Sequence, residues 1–130
     1  MPKNLDLTDI LEKYIIDHSE DLHSTQKELI KENDKLGDMK RMQISISQAH
    51  FLQLLIKTAK IKTILEIGTF TGFSALSMGL ALPKDGKLIT LDKDEKTSLV
   101  AQGLFKKANL SNIIKQIVKP ALETLKDLKK

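Results

Sequence analysis

Two glycines and two acidic residues near the middle of the chain have the types and spacing of a ligand site. Gly68 and Gly72 follow an apolar run, residues 64–67, that contains Glu66, and a helical pattern begins after Gly72. A strand that leads through a glycine loop into a helix presents backbone N–H groups to a ligand. Asp92 ends a second apolar run twenty residues past Gly72, where a carboxylate can accept hydrogen bonds from ribose hydroxyls. The pattern predicts a site for a nucleoside-containing cofactor.

The side chains inside this loop argue against a ligand with a phosphate chain. A dinucleotide loop, G-x-G-x-x-G, needs its second glycine so that the backbone can approach a pyrophosphate. Counted from Gly68, the second and third glycine positions are occupied by Phe70 and Phe73. A P-loop needs Gly-Lys-Ser/Thr, whereas Gly72 is followed by Phe73 and Ser74. S-adenosylmethionine, which carries adenosine and an amino-acid tail but no phosphate, is the common cofactor that fits.

Each of these residues has an alternative role that the sequence leaves open. The glycines could simply permit a tight turn, but an ionised Glu66 in a buried strand needs a polar partner, which favours a ligand site. Asp92 could cap the following helix, a role that is compatible with ribose binding. Ser74 could bond to the helix backbone instead of to a ligand.

The elements that must position these residues are strands and helices in alternation. The sequence predicts strands at Thr63–Ile67, 87–91 and 113–118, and helices at 71–82, 95–108 and 122–128. We expect the first strand to be fully buried, and Gly86 to adopt a positive φ in the turn over residues 83–86. Alternating strands and helices predict an α/β fold with a parallel sheet and right-handed crossovers.

The sequence of residues 1–60 predicts helices and no strands. Helical patterns occur over residues 7–18, over Ser24–Asp34 and from Ser47 onward. The second stretch is rich in Lys and Glu, so we expect it at the surface, with Gly37 as its stop signal. We therefore predict an N-terminal helical segment, residues 1–60, and a cofactor-binding α/β part, residues 61–130.

Composition narrows the class of protein. The chain has no cysteine, which excludes disulfides and thiolate metal sites. No apolar run approaches the roughly 20 residues of a membrane span, and the first residues do not resemble a signal peptide. These features predict a cytoplasmic protein without a membrane partner. The spacing of the three histidines does not suggest a metal pair.

The net charge of +4 is unevenly distributed. Residues 61–130 carry twelve basic and seven acidic side chains, whereas residues 1–60 carry nine and ten. A nucleic-acid partner would require aromatic side chains among the C-terminal lysines, and only Phe105 lies near them. We therefore expect these lysines to be solvated on helix faces, without a nucleic-acid partner.

Several stretches together resemble one enzyme family. Residues 66–74, EIGTFTGFS, closely resemble the E-I-G-x-x-T-G-Y-S signature of the cation-dependent O-methyltransferases of the caffeoyl-CoA and catechol type. Residues 81–87 are similar to the A-L-P-x-x-G-K turn of that family, residues 105–109 to its K-K-A-G stretch, and residues 120–125 to its G-P-A-L-x-x-L. Met42, followed nine residues later by Phe51, resembles the start of the helix before the first strand. The resemblance runs from about Met42 to the end of the chain.

This resemblance implies a Rossmann-like S-adenosylmethionine methyltransferase fold and methyl transfer to a hydroxyl of a catechol-like or other small-molecule acceptor. By resemblance, the cofactor-binding residues are Met42, Ile44, Glu66, Gly68, Thr69, Gly72, Phe73, Ser74, Asp92 and Ala121. In the family a divalent cation such as Mg²⁺ holds the acceptor oxygens. In the family, the ligands of that cation and the catalytic lysine lie after a fourth strand. Nothing after Ala121 supplies that strand or these residues. The sequence therefore predicts no catalytic or metal-binding residue here.

Family members are considerably longer, so the resemblance implies that this chain corresponds to the N-terminal portion of such an enzyme. The fold would be truncated after about three parallel strands, and the chain would be inactive alone. The alternative is a catalytically inactive remnant or binding module that needs a partner chain. The first strand would be left as an open edge, which invites a homodimer or a complementing chain. In the family, residues 1–60 would form a lid or dimer region. Lys119 stands where the family has glycine, which raises the question of whether it impairs cofactor binding.

Overall fold

The computed structural model describes Asn4 and residues 6–129. Its helices are α1 (Asp9–Asp17), α2 (Ser24–Asp34), a 3₁₀ helix (Gly37–Met42), α3 (Ile46–Thr58), α4 (Phe73–Ala81), α5 (Glu95–Lys107) and α6 (Ala121–Leu128). Its strands are β1 (Thr63–Ile67), β2 (Lys87–Asp92) and β3 (Ile114–Val118). Within this described part, no helix has both the length and the apolar character needed to cross a membrane.

The strands form a parallel sheet in the order β1-β2-β3. Thr63 pairs with Lys87, and Leu88 pairs with Ile114. Helices α4 and α5 connect successive strands, as in other parallel sheets. The predicted α/β architecture is therefore confirmed. The carboxyl ends of the three strands, which precede the glycine loop, α5 and α6, meet at one edge of the sheet.

The hydrophobic core joins the N-terminal helices to the α/β part. Leu29 of α2 and Ala49 of α3 belong to the same buried cluster as Leu76 of α4, Leu88 of β2 and Phe105 of α5. Helix α4 is the central element of this cluster, because both α2 and α3 pack against it. Residues 1–60 and 61–130 thus share one core in the described structure.

Helix α2 has the predicted bounds, but the prediction that it lies at the surface is wrong. Thr25, Gln26, Leu29 and Asn33 are buried, and their spacing places them on one face of the helix. Three of these four side chains are polar, so the buried face has no apolar periodicity in the sequence.

Strand β1 is not fully buried, contrary to the sequence prediction. Leu65 and Ile67 expose 49% and 63% of their surface, whereas Ile64 on the opposite face packs against the core. In the described residues β1 pairs only with β2, so its second edge and the Leu65 face lack the neighbours that would bury them.

Left-handed residues end two of the helices. Lys60 follows α3 with φ 53° and Asn109 follows α5 with φ 57°, and the next residue in each case donates its N–H to a carbonyl five residues back. This is the Schellman geometry that usually selects glycine. Asparagine tolerates it, which explains why Asn109 stands in place of the final glycine of the K-K-A-G stretch.

The sequence predictions for Gly86 and Gly37 need correction. Gly86 does not have the predicted positive φ; a Cβ there would lie 2.9 Å from the Pro83 carbonyl oxygen, so glycine permits a close approach. Gly37 has φ 58° but begins the 3₁₀ helix instead of ending α2.

Candidate functional site

A shallow cavity of about 340 Å³ lies at the carboxyl ends of the strands, where ligands bind in open α/β sheets. It is lined by Ile67, Gly68, Leu91, Asp92, Lys93, Pro120, Ala121 and Leu122. Most of these side chains are apolar, and Asp92 contributes the carboxylate. The sequence-predicted residues Gly68, which follows β1, Asp92, which ends β2, and Ala121, which begins α6, are therefore brought together here.

The two glycines of the loop have different structural roles. Gly68 has φ 98°, and a Cβ built on it would meet no heavy atom within 4 Å, so it faces open space. Gly72 has φ 91°, and its Cβ would lie 2.8 Å from both Ala101 Cβ and Phe105 Cζ. Gly68 thus leaves room beside the cavity, whereas Gly72 allows the start of α4 to pack closely on α5.

Asp92 ties the end of β2 to the glycine loop. Its Oδ2 accepts a hydrogen bond of 2.8 Å from the Phe70 N–H, and its Oδ1 accepts one of 3.0 Å from the Asp94 N–H. Asp94 caps α5 through the Thr97 N–H, so the alternative prediction that Asp92 is the helix cap is wrong. A carboxylate oxygen has two acceptor positions, so Asp92 keeps acceptor capacity at the cavity wall.

Glu66 lies between β2 and the first turn of α4. Its Oε1 accepts a 2.6 Å hydrogen bond from the Thr90 hydroxyl, and its Oε2 accepts one from the Ser74 hydroxyl. Burial raises the pKa of Glu66, and repulsion by Asp92 raises it further. The hydrogen bonds from Ser74 and Thr90 act in the opposite direction but do not cancel the increase. Because both partners are neutral hydroxyls, a cationic group on a ligand would be favoured beside this carboxylate.

Ser74 therefore bonds to Glu66, so the alternative of a bond to its own helix is not observed. Thr90 is a site residue that sequence reasoning missed. It is fully buried, and its hydroxyl lies 2.7 Å from the Thr69 hydroxyl, so it links the loop to Glu66. A hydroxyl in the middle of an apolar strand was the available signal, because a buried hydroxyl requires a partner.

Seven of the ten sequence-predicted residues do not line the cavity: Met42, Ile44, Glu66, Thr69, Gly72, Phe73 and Ser74. The Phe73 side chain is buried in the hydrophobic core, so only its backbone, at the N-terminus of α4, faces the loop. Met42 ends the 3₁₀ helix and is 62% exposed, while Ile44 is half-buried and packs against the core.

Lys119 turns away from the cavity and towards α6. Its Nζ lies 2.6 Å from Asp127 Oδ2, and this hydrogen bond raises the pKa of Lys119. Lys119 is not among the cavity-lining residues. A long cationic side chain can therefore stand in place of the family glycine without filling the cavity.

The described residues offer no donor set for a divalent cation. Across Asn4 and residues 6–129, no three His, Asp or Glu side chains are grouped so that they could hold a metal ion.

Comparison with known proteins agrees with this arrangement. A family model described as O-methyltransferase matches residues 16–130. The caffeoyl-CoA O-methyltransferase of Stellaria longipes is 36% identical over 121 residues, which cover 91% of this chain and 49% of that protein. The catechol O-methyltransferase of Niastella koreensis is 40% identical over 90 residues, or 69% of this chain and 41% of that protein.

Solved structures show the same fold. The O-methyltransferase from Bacillus cereus, in complex with SAH, superposes with a TM-score of 0.84 at 28% identity and covers 92% of this chain and 54% of that one. The O-methyltransferase TomG from Streptomyces achromogenes, in complex with SAM, superposes with a TM-score of 0.85 at 26% identity and covers 93% of this chain and 54% of that one. The chain thus spans about half the length of the relatives it matches. Sequence and fold together show that this chain belongs to the O-methyltransferase family.

Proposed function

We propose that this chain binds S-adenosylmethionine and forms the cofactor-binding part of an O-methyltransferase that acts on a hydroxyl of a small molecule, of catechol-like chemistry. The observation that carries the proposal is the cavity where Asp92 and the open face of Gly68 meet at the carboxyl ends of the strands. SAH and SAM in the related Bacillus cereus and Streptomyces structures support the same ligand.

The groups at the site match the parts of this cofactor. The apolar walls at Leu91 and Ala121 suit an adenine ring, and Asp92 would accept hydrogen bonds from the ribose hydroxyls. Glu66 would accept from the ammonium of the amino-acid tail, while the N–H groups at the start of α4 would donate to its carboxylate. Thr69, Gly72, Phe73 and Ser74 shape this turn, and Met42 and Ile44 are proposed to flank the site.

When bound, S-adenosylmethionine supplies an electrophilic methyl group on a sulfonium. The described residues contribute binding and orientation, which can lower the barrier of a bimolecular transfer. We propose that methyl transfer also needs an acceptor site and a divalent cation held by residues outside this set. The chain's coverage of about half of its relatives supports this division.

Isothermal titration tests the binding proposal. We expect the folded chain to bind S-adenosylmethionine, and ATP not to compete, because the site has a carboxylate where a phosphate chain would lie. Asp92→Asn should weaken binding roughly tenfold to a hundredfold, the value of a hydrogen bond to a charged group. Asp94→Asn, which changes only the α5 cap, is the matched control. A folded chain that gives no heat at millimolar ligand would exclude the proposal.

We also propose that the open edge of β1 pairs with a second polypeptide, either another copy or a complementing chain. The exposed Leu65 and the unpaired backbone of an apolar edge strand support it, because such edges recruit further strands. For pairing with another copy, light scattering should give an oligomer that Leu65→Lys dissociates. Leu99→Lys, on the exposed face of α5, should leave it intact. A monomer at all concentrations would contradict pairing between copies.

A further inference from the structure

We propose that α2 is a positioning strut, which fixes residues 42–44 relative to the glycine loop through two amide hydrogen bonds, one buried and one partly buried. The inference rests on the proposed function, since Met42 and Ile44 are placed at the cofactor site there. It assigns a positioning role to Gln26, Asn33 and Gln43.

The first contact fixes α2 to α4. The Gln26 side chain, which is only 3% exposed, donates from Nε2 to Ser77 Oγ at 2.8 Å. Its Oε1 accepts from the His23 N–H at 2.9 Å, so both ends of the amide are used. Ser77 in turn donates to the Phe73 carbonyl at 2.7 Å. The contact therefore reaches the first residue of α4, immediately after Gly72.

The second contact fixes α2 to the segment that carries the two proposed flanking residues. Asn33 lies seven residues after Gln26 on the same buried face, and its Nδ2 donates to Gln43 Oε1 at 2.6 Å. Gln43 stands directly between Met42 and Ile44. Fully buried Leu29 lies between the two polar contacts and packs in the core.

Helix α3 provides a second connection between residues 42–44 and Ser77. Helix α3 begins two residues after Ile44, and its Gln53 donates from Nε2 to the Ser77 carbonyl at 2.8 Å. Residues 42–44 are thus held from one side through α2 and from the other through α3, and both paths end at Ser77. Such directional contacts rigidify the packing and help to specify one relative position.

An unpaired atom indicates that Asn33 is not simply a packing residue. Its Oδ1 is buried and has no hydrogen-bond partner among the described residues, which destabilises the fold. Leucine has a similar size and would not carry this cost. The donor to Gln43 is the contact that an asparagine provides at this position and a leucine does not.

The test uses Asn33→Leu and Gln43→Leu in the full chain. The control is Lys35→Ala, because Lys35 follows α2 directly and its side chain makes an exposed ion pair with Glu32. We expect Asn33→Leu to keep the thermal midpoint within a few degrees, whereas Gln43→Leu should lower it, because the buried Asn33 amide then loses its acceptor. Both variants should bind S-adenosylmethionine roughly fivefold to tenfold more weakly, the value of one hydrogen bond. Gln43→Glu, which keeps the acceptor, should restore most of the affinity.

Amide hydrogen exchange supplies a ligand-free measurement. Exchange in residues 42–44 should accelerate in the leucine variants, while α4 stays protected. If the wild type does not bind S-adenosylmethionine but exchange of residues 42–44 accelerates in the leucine variants, the proposed function is wrong and the positioning role of α2 is supported. Unchanged exchange in a folded Gln43→Leu variant would overturn the strut. If the wild type binds S-adenosylmethionine, leucine variants with the same dissociation constant as the wild type would also overturn it.

Discussion

Gly72→Ala should lower the free energy of unfolding by about 2–5 kcal/mol, a large share of the stability of a small domain. Two effects add. The new Cβ would lie 2.8 Å from Ala101 Cβ and Phe105 Cζ, and overpacking of this kind costs about 1–3 kcal/mol. The φ of 91° adds about 1–2 kcal/mol for a residue with a side chain.

Gly68→Ala is the matched control, because Gly68 has a similar φ of 98° but open space around its Cβ. Only the backbone cost of about 1–2 kcal/mol should appear in its unfolding free energy. Its affinity for S-adenosylmethionine should fall, since the methyl would point into the space beside the cavity. Urea unfolding followed by circular dichroism measures both variants. Equal losses of stability would contradict the different roles assigned to the two glycines.

Glu66→Gln should separate stability from binding. Affinity for S-adenosylmethionine should fall roughly tenfold to a hundredfold, because a charge-assisted hydrogen bond to the ammonium is lost. Stability at pH 7 should not fall, because the variant removes a carboxylate that burial disfavours in its charged form. Titration calorimetry and urea unfolding on the same samples measure the two effects.

The sign of the pH dependence follows from the raised pKa of Glu66. Between its unfolded and folded pKa values the native state binds more protons, so the contribution of Glu66 to stability is greatest below the unfolded pKa. That contribution is lost as pH rises through the folded pKa. Glu66→Gln should remove this part of the slope, whereas Glu123→Gln, on the exposed side of α6, should keep it. A steeper slope in Glu66→Gln would contradict the assignment.

The sequence located the site because its signals are local. The strand, the glycine loop and the first turn of α4 occupy a dozen consecutive residues, so the spacing of Glu66, Gly68 and Gly72 already indicates the turn. Asp92 follows a predicted strand, and parallel strands present their carboxyl ends at one edge. The structure confirms this geometry, and the role of the site in cofactor binding remains a prediction.

Local patterns failed where burial depends on distant parts of the chain. Helix α2 was predicted at the surface because polar residues form its buried face; Gln26 is satisfied there by Ser77, 51 residues away. Strand β1 was predicted buried because its residues are apolar, yet Leu65 is half exposed since no described element covers that face.

The sequence by itself determined the order of strands and helices, the glycine loop and the identity of the acidic residues at the site. Only the tertiary structure decided which hydroxyls meet Glu66, that Asp94 and not Asp92 caps α5, and which glycine packs while the other stays open. The physical reason is that hydrophobic periodicity and turn chemistry act between near neighbours in the chain, whereas hydrogen-bond partners and burial are set by residues that only the packed fold brings together.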